Sequence, residues 1–289
     1  MPTTTANGIR IEYDSFGDPA SPPVLLIMGL GAQMTLWDPE FCQAIANRGY
    51  YVIRFDNRDI GLSTWFDDAG PVELSDVMSG AVGASYSLAD MAADTAGLLD
   101  ALGIESAHIV GASMGGMIAQ SFAIDYPTTT RTLTSIMSTT GDPAVGQPSP
   151  EALGALLAPA PASREEAIER GVLLWKVIGS PGYPSDESRT RERAASDYDR
   201  AFHPAGVVHQ VAAIMTQPDR TAALRSVSAP TLVIHGAEDP LVDPSGGRAT
   251  ADAVPNAKLK IVPGMGHDLP PALNSEIIGS LVEHFARAD

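Results

Sequence analysis

Hydrophobic positions along the chain form short continuous runs, and these runs alternate with longer segments that have helical spacing. Val24–Met28, Tyr50–Phe55 and Ala107–Val110 are mostly apolar and too short for stable helices, which is typical of buried parallel strands. Asp38–Arg48 and Ser87–Leu102 have helical spacing, and each begins with a side chain suited to cap a helix. The alternation predicts an α/β fold with a mostly parallel twisted sheet covered by helices on both faces.

The pattern continues towards both ends of the chain. Ile9–Phe16 alternates apolar and polar residues and predicts an early antiparallel strand. Three further strands and a final helix are predicted at Thr132–Met137, Pro230–His235, Ala257–Val262 and Asn274–Arg287. The stretch from about Thr64 to Tyr86 is rich in glycine, and we expect it to be irregular.

One long segment, Gly141–Arg220, departs from this alternation. Prolines separate amphipathic helical pieces such as Arg164–Val177 from the highly charged stretch Pro184–Ala201. Because the segment lies between two predicted strands of the sheet, we interpret it as a helical cap over their carboxyl ends. The predicted organisation is an α/β core formed by residues 1–140 and 221–289, with a cap at 141–220.

The strand at Ala107–Val110 leads directly into a G-x-S-x-G motif formed by Gly111, Ser113 and Gly115. A helix is predicted at Met114–Tyr126, so the motif lies at a turn from strand to helix. This setting is that of a nucleophile elbow, in which the serine hydroxyl points outwards and glycines avoid clashes with neighbouring backbone. The alternative interpretation is a glycine-rich turn with no chemistry.

Two later loops add an acid and a base to this serine. Asp239 follows the strand that ends at His235, and His267 follows the last strand. The order Ser113, Asp239, His267 is that of α/β-hydrolases and differs from the orders of chymotrypsin and subtilisin. Three other carboxylates compete with Asp239 for the acidic position, namely Glu238, Asp243 and Asp142.

Several motifs carry a resemblance to the α/β-hydrolase superfamily that extends over nearly the whole chain. They are Met28-Gly-Leu30, Asp56-Asn-Arg-Asp-Ile-Gly-Leu-Ser63, Gly111-Ala-Ser-Met-Gly-Gly116, Gly236-Ala-Glu-Asp-Pro240 and Gly264-Met-Gly-His267. Within the superfamily, the chain is similar to bacterial esterases of the aclacinomycin methylesterase type. That closer similarity lies in Ile27-Met-Gly29, the Asn57-Arg-Asp59 loop and Pro263-Gly-Met-Gly-His267.

The resemblance implies a role for each member of the site. Ser113 is a weak nucleophile by itself and needs an adjacent base. His267 would accept its proton and later deliver it to the leaving alkoxide, while Asp239 would orient the imidazole. The backbone N–H groups of Leu30 and Met114 would stabilise the oxyanion.

The implied activity is the hydrolysis of carboxylic esters through an acyl-enzyme, with no cofactor. Cofactor-free perhydrolysis of the haloperoxidase type and C–C bond hydrolysis use the same triad and remain alternatives. A ligand-binding protein without catalytic activity is an alternative of a different class. Dehalogenases and epoxide hydrolases of this fold use an aspartate nucleophile, so Ser113 counts against them.

Apolar side chains of the cap, together with Met28 and Leu30, indicate a hydrophobic pocket for the substrate. Many family members have His-Gly where this chain has Met28-Gly29, so we expect an entrance of different polarity. Trp175 and Met215 either line this pocket or belong to the internal core of the cap. The cap is expected to determine acyl specificity and to contribute little to the chemistry.

The remaining histidines and the lone cysteine give no sign of a metal site. His108 and His235 lie in predicted strands and are interpreted as packing residues. His203 and His209 lie in the cap, where a role at the surface is favoured over a substrate contact. Cys42 lies in a predicted helix and is interpreted as a small apolar residue.

Composition limits the partners that the chain is expected to bind. The formal net charge of -17 argues against nucleic acid and anionic membrane surfaces. The N-terminus lacks the features of a signal peptide, and no apolar run reaches membrane-spanning length. We therefore expect a cytoplasmic protein, monomeric or homodimeric, that acts on a small-molecule ester and does not insert stably into membranes.

Overall fold

A computed structural model describes residues 2–67, 73–81 and 83–288. Within these residues, eight strands form a single sheet in the order β1-β2-β4-β3-β5-β6-β7-β8. The strands are β1 (Thr3–Ala6), β2 (Ile9–Phe16), β3 (Pro23–Ile27), β4 (Tyr51–Phe55), β5 (Ala107–Ala112), β6 (Thr130–Ile136), β7 (Thr231–Gly236) and β8 (Lys258–Val262). β1 and β2 pair in an antiparallel manner, β2 pairs antiparallel with β4, and the other pairs are parallel. The predicted α/β-hydrolase fold is confirmed.

Helices connect the strands and cover both faces of the sheet. They are α1 (Pro39–Ala46), α2 (Leu74–Met78), α3 (Leu88–Ala101), α4 (Met114–Asp125), α5 (Pro150–Leu156), α6 (Arg164–Ile178), α7 (Glu187–Arg200), α8 (Pro204–Met215), α9 (Thr221–Leu224), α10 (Pro244–Ala253) and α11 (Asn274–Phe285). In the part of the chain that is described, no helix is both long enough and apolar enough to cross a bilayer.

Alternate residues of the buried strands build two separate cores. Leu25 and Ile27 of β3 pack with side chains of α3 and α4 on one face of the sheet. Val24 and Leu26 point to the other face, where they pack with α1 and α11. Because each strand is buried on both faces, its sequence is continuously apolar rather than alternating, which explains the pattern that identified these strands.

The predicted helix starts are formed as the sequence indicates. Asp38 accepts the Glu40 N–H at 2.9 Å, with Pro39 at the first helical position of α1. Ser87 and Asp90 form a reciprocal capping box at the start of α3. These side chains satisfy N–H groups that have no partner within the helix, so each helix begins at the predicted residue.

Two elements correct the sequence interpretation. Thr3–Ala6 forms an edge strand that the polar sequence did not indicate, since an edge strand exposed to solvent needs no apolar pattern. Leu74–Met78 forms a short helix within the stretch that was predicted to be irregular. The part of that prediction that concerns residues 68–72 and 82 lies outside the described residues.

Helices α5 to α8 follow one another between β6 and β7, and we call residues 150–215 the helical segment. Its helices differ in how deeply they are buried. No residue of α7 is buried, whereas six residues of α8 are buried. α7 packs mainly along α6, while α8 reaches the loops at the carboxyl ends of the strands.

Candidate active site

The turn between β5 and α4 holds Ser113 in strained backbone. Its φ of 57° and ψ of -122° lie in a region that side chains rarely adopt, and its N–H donates to Ile136 O at 2.9 Å. A Cβ at Gly111 would collide with the backbone of Gly115, and a Cβ at Gly115 would collide with that of Ile27. Only glycine fits at these two positions, as a nucleophile elbow requires.

Two hydrogen bonds join Ser113 to His267 and Asp239. His267 Nε2 lies 2.9 Å from Ser113 Oγ, and His267 Nδ1 lies 2.7 Å from Asp239 Oδ2. An ionised carboxylate can only accept, so Nδ1 carries the proton and Nε2 accepts the serine hydroxyl. The structure thus brings together the three residues that the sequence singled out, in the geometry of a nucleophile, its base and a group that orients the base.

Asp239 is held by donors on both of its oxygens. Its Oδ1 accepts the N–H groups of Leu241 and Val242, both at 2.9 Å, and its side chain is fully buried. Burial raises the pKa of this carboxyl, but the charge of His267 and hydrogen bonds from His235, His267 and Val242 outweigh burial and hold the pKa below its usual value. Asp239 therefore stays ionised throughout the neutral range and is suited to stabilise an imidazolium.

Each of the three other carboxylates considered for the acidic position accepts a hydrogen bond from a backbone N–H away from His267. Glu238, Asp243 and Asp142 accept the N–H groups of Gly264, Ser245 and Ala144, respectively. In the described structure, none of these three carboxylates has a hydrogen bond to His267. The geometry favours Asp239 as the acidic partner.

The loop after β3 runs beside Ser113 and carries one of the predicted oxyanion donors. A Cβ at Gly29 would lie 3.1 Å from the Cβ of Ser113, so the glycine backbone approaches the serine directly. No hydrogen bond from the N–H of Leu30 or Met114 is found among the described residues. Within the described residues, neither N–H has a protein acceptor, and their role as oxyanion donors stays a prediction.

A cavity of about 1280 Å³ opens above Ser113 and is lined mainly by apolar side chains. Its volume exceeds the range of about 300–1,000 Å³ that is usual for small-molecule sites. Met28, Trp175 and Met215 all contribute to its wall. Met215 is 46% exposed, which excludes the alternative that it lies in an internal core.

Three histidines have contacts that the sequence interpretation missed. His235 Nε2 donates to Val242 O at 2.7 Å and lies 3.4 Å from Asp239 Oδ2, so it supports the acid as well as the core. His209 is 2% exposed and contacts Asp59 Oδ2 at 3.0 Å, and His203 stacks on Trp65. The predicted surface role of His209 is wrong, because this side chain is buried and pairs with the polar loop after β4. His203 is half-buried, contacts the Asp59 carbonyl at 3.0 Å and lines the cavity.

The loop that carries His267 is fastened to the end of α6. The His267 N–H donates to Ile178 O at 2.7 Å, and the Gly266 N–H donates to Ser180 Oγ at 2.9 Å. The Ser180 hydroxyl in turn donates to Asp268 Oδ1. Nothing in the local sequence reveals these contacts, since the two partners are separated by more than eighty residues.

The remaining candidate residues, Cys42 and His108, are buried in the core of the protein. Cys42 is buried in α1, and burial raises the pKa of its thiol to about 12, so a thiolate does not form at neutral pH. His108 is buried against Phe285. Within the described ranges, no group of three or more metal-ligating side chains is assembled.

Comparisons with known proteins agree with this architecture. Residues 22–270 match a family model described as alpha/beta hydrolase fold. The rhodomycin D methylesterase DauP of Streptomyces sp. (strain C5) is 31% identical, and the alignment covers 98% of each chain. The rhodomycin D methylesterase DnrP of Streptomyces peucetius is 30% identical, again with 98% of each chain covered.

Among solved structures, the enol-lactonase from Burkholderia xenovorans LB400 is similar to the chain. Its TM-score is 0.76 at 19% identity, and the alignment covers 99% of this chain and 100% of that one. At this identity, the similarity concerns the fold.

Proposed function

Because the chain belongs to the α/β-hydrolase family, we propose that it hydrolyses carboxylic esters through an acyl-enzyme formed on Ser113. The observation that carries the proposal is the hydrogen-bonded series from Ser113 Oγ through His267 to Asp239, at 2.9 and 2.7 Å. The nearly full-length similarity to two methylesterases supports an ester as the substrate.

The proposed reaction begins with attack of Ser113 Oγ on the ester carbonyl carbon. His267 Nε2 accepts the hydroxyl proton, and Asp239 stabilises the imidazolium that results. The carbonyl oxygen becomes an oxyanion and accepts hydrogen bonds from the N–H groups of Leu30 and Met114. When the tetrahedral intermediate collapses, the C–O bond to the alcohol breaks, and His267 returns the proton to the departing alkoxide.

Water completes the proposed cycle. His267 removes a proton from water, whose oxygen attacks the acyl carbonyl carbon. The second tetrahedral intermediate then releases the carboxylic acid and restores the Ser113 hydroxyl with the proton held by His267. Each half of the cycle uses the same base and the same oxyanion donors, so no further group is needed.

We further propose that the acyl part of the substrate is bulky and largely apolar. The cavity above Ser113 is large and mostly apolar, and it is lined by side chains of the core and of the helical segment. The two relatives are named rhodomycin D methylesterases, which supports a methyl ester as the substrate type. The proposed substrate class is therefore a small-alcohol ester of a large hydrophobic acid.

The first test is labelling with a fluorophosphonate, followed by turnover of a p-nitrophenyl ester by the wild type and by Ser113→Ala. We expect labelling at Ser113 and a loss of turnover of about 10³-fold or more in the variant, because removal of a triad nucleophile has such effects. Circular dichroism establishes that the variant is folded. A variant that retained a tenth of the wild-type rate would show that Ser113 is not the nucleophile.

A substrate panel then separates the competing activities. Methyl esters of large and small acids test the proposed acyl preference, and hydrogen peroxide with acetate tests perhydrolysis. A 2-hydroxy-6-oxodienoate, a class of substrate for which one relative is named, tests C–C bond hydrolysis. If Ser113 is labelled but only one of the last two substrates reacts, the triad stands and the proposed ester specificity fails. If neither labelling nor turnover occurs, the protein is a ligand-binding member of the family.

A further inference from the structure

The loop that carries the Leu30 N–H is held at both ends by side-chain amides. Asn57 Nδ2 donates to Met28 O at 2.8 Å, and the Gly31 N–H donates to Gln210 Oε1 at 2.9 Å. The peptide between Gly29 and Leu30 lies between these two points. Among the described residues, the carbonyl of this peptide, Gly29 O, accepts only a long hydrogen bond from the Ala32 N–H at 3.4 Å. The direction of the Leu30 N–H therefore depends strongly on the two amides at the ends of the loop.

Gln210 is the member of this pair that comes from the helical segment. It lies in α8, its side chain is fully buried, and its Nε2 donates to Arg58 O at 2.9 Å. Arg58 is itself fixed by two hydrogen bonds to Asp94, at 2.6 and 2.7 Å. The Arg58 carbonyl can only accept a hydrogen bond, and the Gly31 N–H can only donate one. The Gln210 amide therefore makes both hydrogen bonds in one orientation only, with Nε2 facing Arg58 and Oε1 facing Gly31.

The loop needs this support because its own backbone is adaptable. Gly31 has a φ of +67°, in the left-handed region that glycine enters without cost, and a glycine can leave that region as easily. Gly31 is also exposed towards the cavity, so water can replace a lost acceptor for its N–H. Without Gln210, the Met28 end is the one part of the Gly29–Gly31 loop that a side chain of the described residues still holds.

We propose that Gln210 is a positioning residue of the oxyanion hole, and that the helical segment thereby takes part in the chemistry as well as in specificity. This inference rests on the proposed function, since it assumes that the Leu30 N–H stabilises an oxyanion. Loss of the Gln210 acceptor leaves the substrate able to bind but turns the Leu30 N–H away from the direction in which charge develops.

The test compares Gln210→Leu with the wild type on a p-nitrophenyl ester. We expect kcat to fall by about 10- to 100-fold, part of the roughly 10²–10³ that loss of a whole oxyanion donor costs, with KM changed by less than about threefold. Affinity for a boronic acid that forms a tetrahedral adduct on Ser113 is expected to fall in parallel with kcat. Gln210→Met, which keeps the length of the side chain but has no amide, is expected to show the same loss.

Ala213→Gly is the matched control for destabilisation of α8. Ala213 is buried in the same helix, and its methyl side chain cannot accept a hydrogen bond from the loop as Gln210 does. Its replacement weakens the helix by removing a methyl group and adding backbone freedom. The control is expected to lower Tm while leaving kcat and boronate affinity near wild-type values. If it reduces kcat as much as Gln210→Leu does, the effect is one of helix stability and the positioning role is wrong.

Two further outcomes decide the proposal. If the wild type is labelled at Ser113 and turns over esters, but Gln210→Leu keeps its kcat and boronate affinity, the positioning role is overturned while the proposed function stands. If the wild type shows neither labelling nor turnover, both fail together. Should Gln210→Leu not fold, Gln210→Met decides: the proposal requires a fall in kcat with a normal KM, and a wild-type kcat contradicts it.

Discussion

Helices α7 and α8 follow each other in the helical segment and both border the cavity, but they attach to the core in different ways. α7 has no buried residue, and its contacts with the core are polar: Arg189 and Arg193 bind Asp38 through partly exposed charges. Only its last residue, Arg200, makes a well-buried ion pair among those described, to Asp56 at 2.7 Å. α8 has six buried residues, and its Gln210 and His209 reach the loops beside Ser113. The two helices therefore have different expected functions.

Attachment through partly exposed charges is weak and sensitive to salt, because water competes for both partners. Attachment through buried apolar side chains and satisfied amides is stronger and more rigid. We infer that the part of α7 before Arg200 is the wall of the cavity that yields to substrates of different shape, whereas α8 is part of the frame that holds the Gly29–Gly31 loop. Variants that act through the triad, the cavity wall and α7 test this comparison in turn.

The largest loss of kcat is expected from Asp239→Asn, which acts through the triad and through neither helix. The losses expected from the other variants are compared with it. An amide at this position favours the wrong histidine tautomer, so kcat is expected to fall by roughly 10⁴, as in the known triad case. Steady-state kinetics with a p-nitrophenyl ester measures the loss. Asp142→Asn is the control and should have little effect, because Asp142 binds the Ala144 N–H. A larger loss of kcat in Asp142→Asn than in Asp239→Asn would assign the acidic role to Asp142, which follows β6.

An intermediate effect is expected from two side chains in the cavity wall. Trp175→Ala and Met215→Ala should change the ratio of kcat/KM for long and short acyl esters by about 10- to 100-fold, since one methylene in an apolar pocket is worth about 1–3 kcal/mol. Labelling of Ser113 should persist in both variants. An unchanged chain-length profile would show that these side chains do not contact the acyl group.

The smallest effect is expected from the charges of α7. Asp38→Asn removes the carboxylate that binds Arg189 and Arg193, while asparagine can still cap α1. KM is expected to change by about two- to fivefold at low salt, with kcat unaltered, and high salt should reproduce this change in the wild type. Asp199→Asn, which breaks a bridge between α7 and α6 only, is the control. A large fall in kcat would contradict the distinction between the helices.

The sequence predicted those parts of the site that depend on local chain geometry. The elbow at Ser113 requires glycines at fixed positions, and Asp239 and His267 each follow a recognisable strand, so short motifs sufficed. The roles of these residues stay proposals until the variants are measured. The division into a core and a cap at residues 141–220 also stays a prediction.

Other parts of the site were beyond the sequence because they depend on contacts between distant segments. Gln210 and Gly31 are separated by 179 residues, and no pattern in α8 distinguishes Gln210 from a surface glutamine. His209 was misread for the same reason, since its partner Asp59 belongs to a loop 150 residues earlier. Pairings of this kind become visible only when the packing of α8 against the core is known.

The hydrogen bond from the His267 N–H to the Ile178 carbonyl has a consequence for engineering and for evolution. Its acceptor is a backbone atom, so no side-chain substitution can remove it, and only the path of the chain at the end of α6 determines where it lies. A chimaera that receives the helical segment of a relative will therefore inherit a new placement of His267 along with a new pocket. Exchange of this module is expected to change rate and selectivity together.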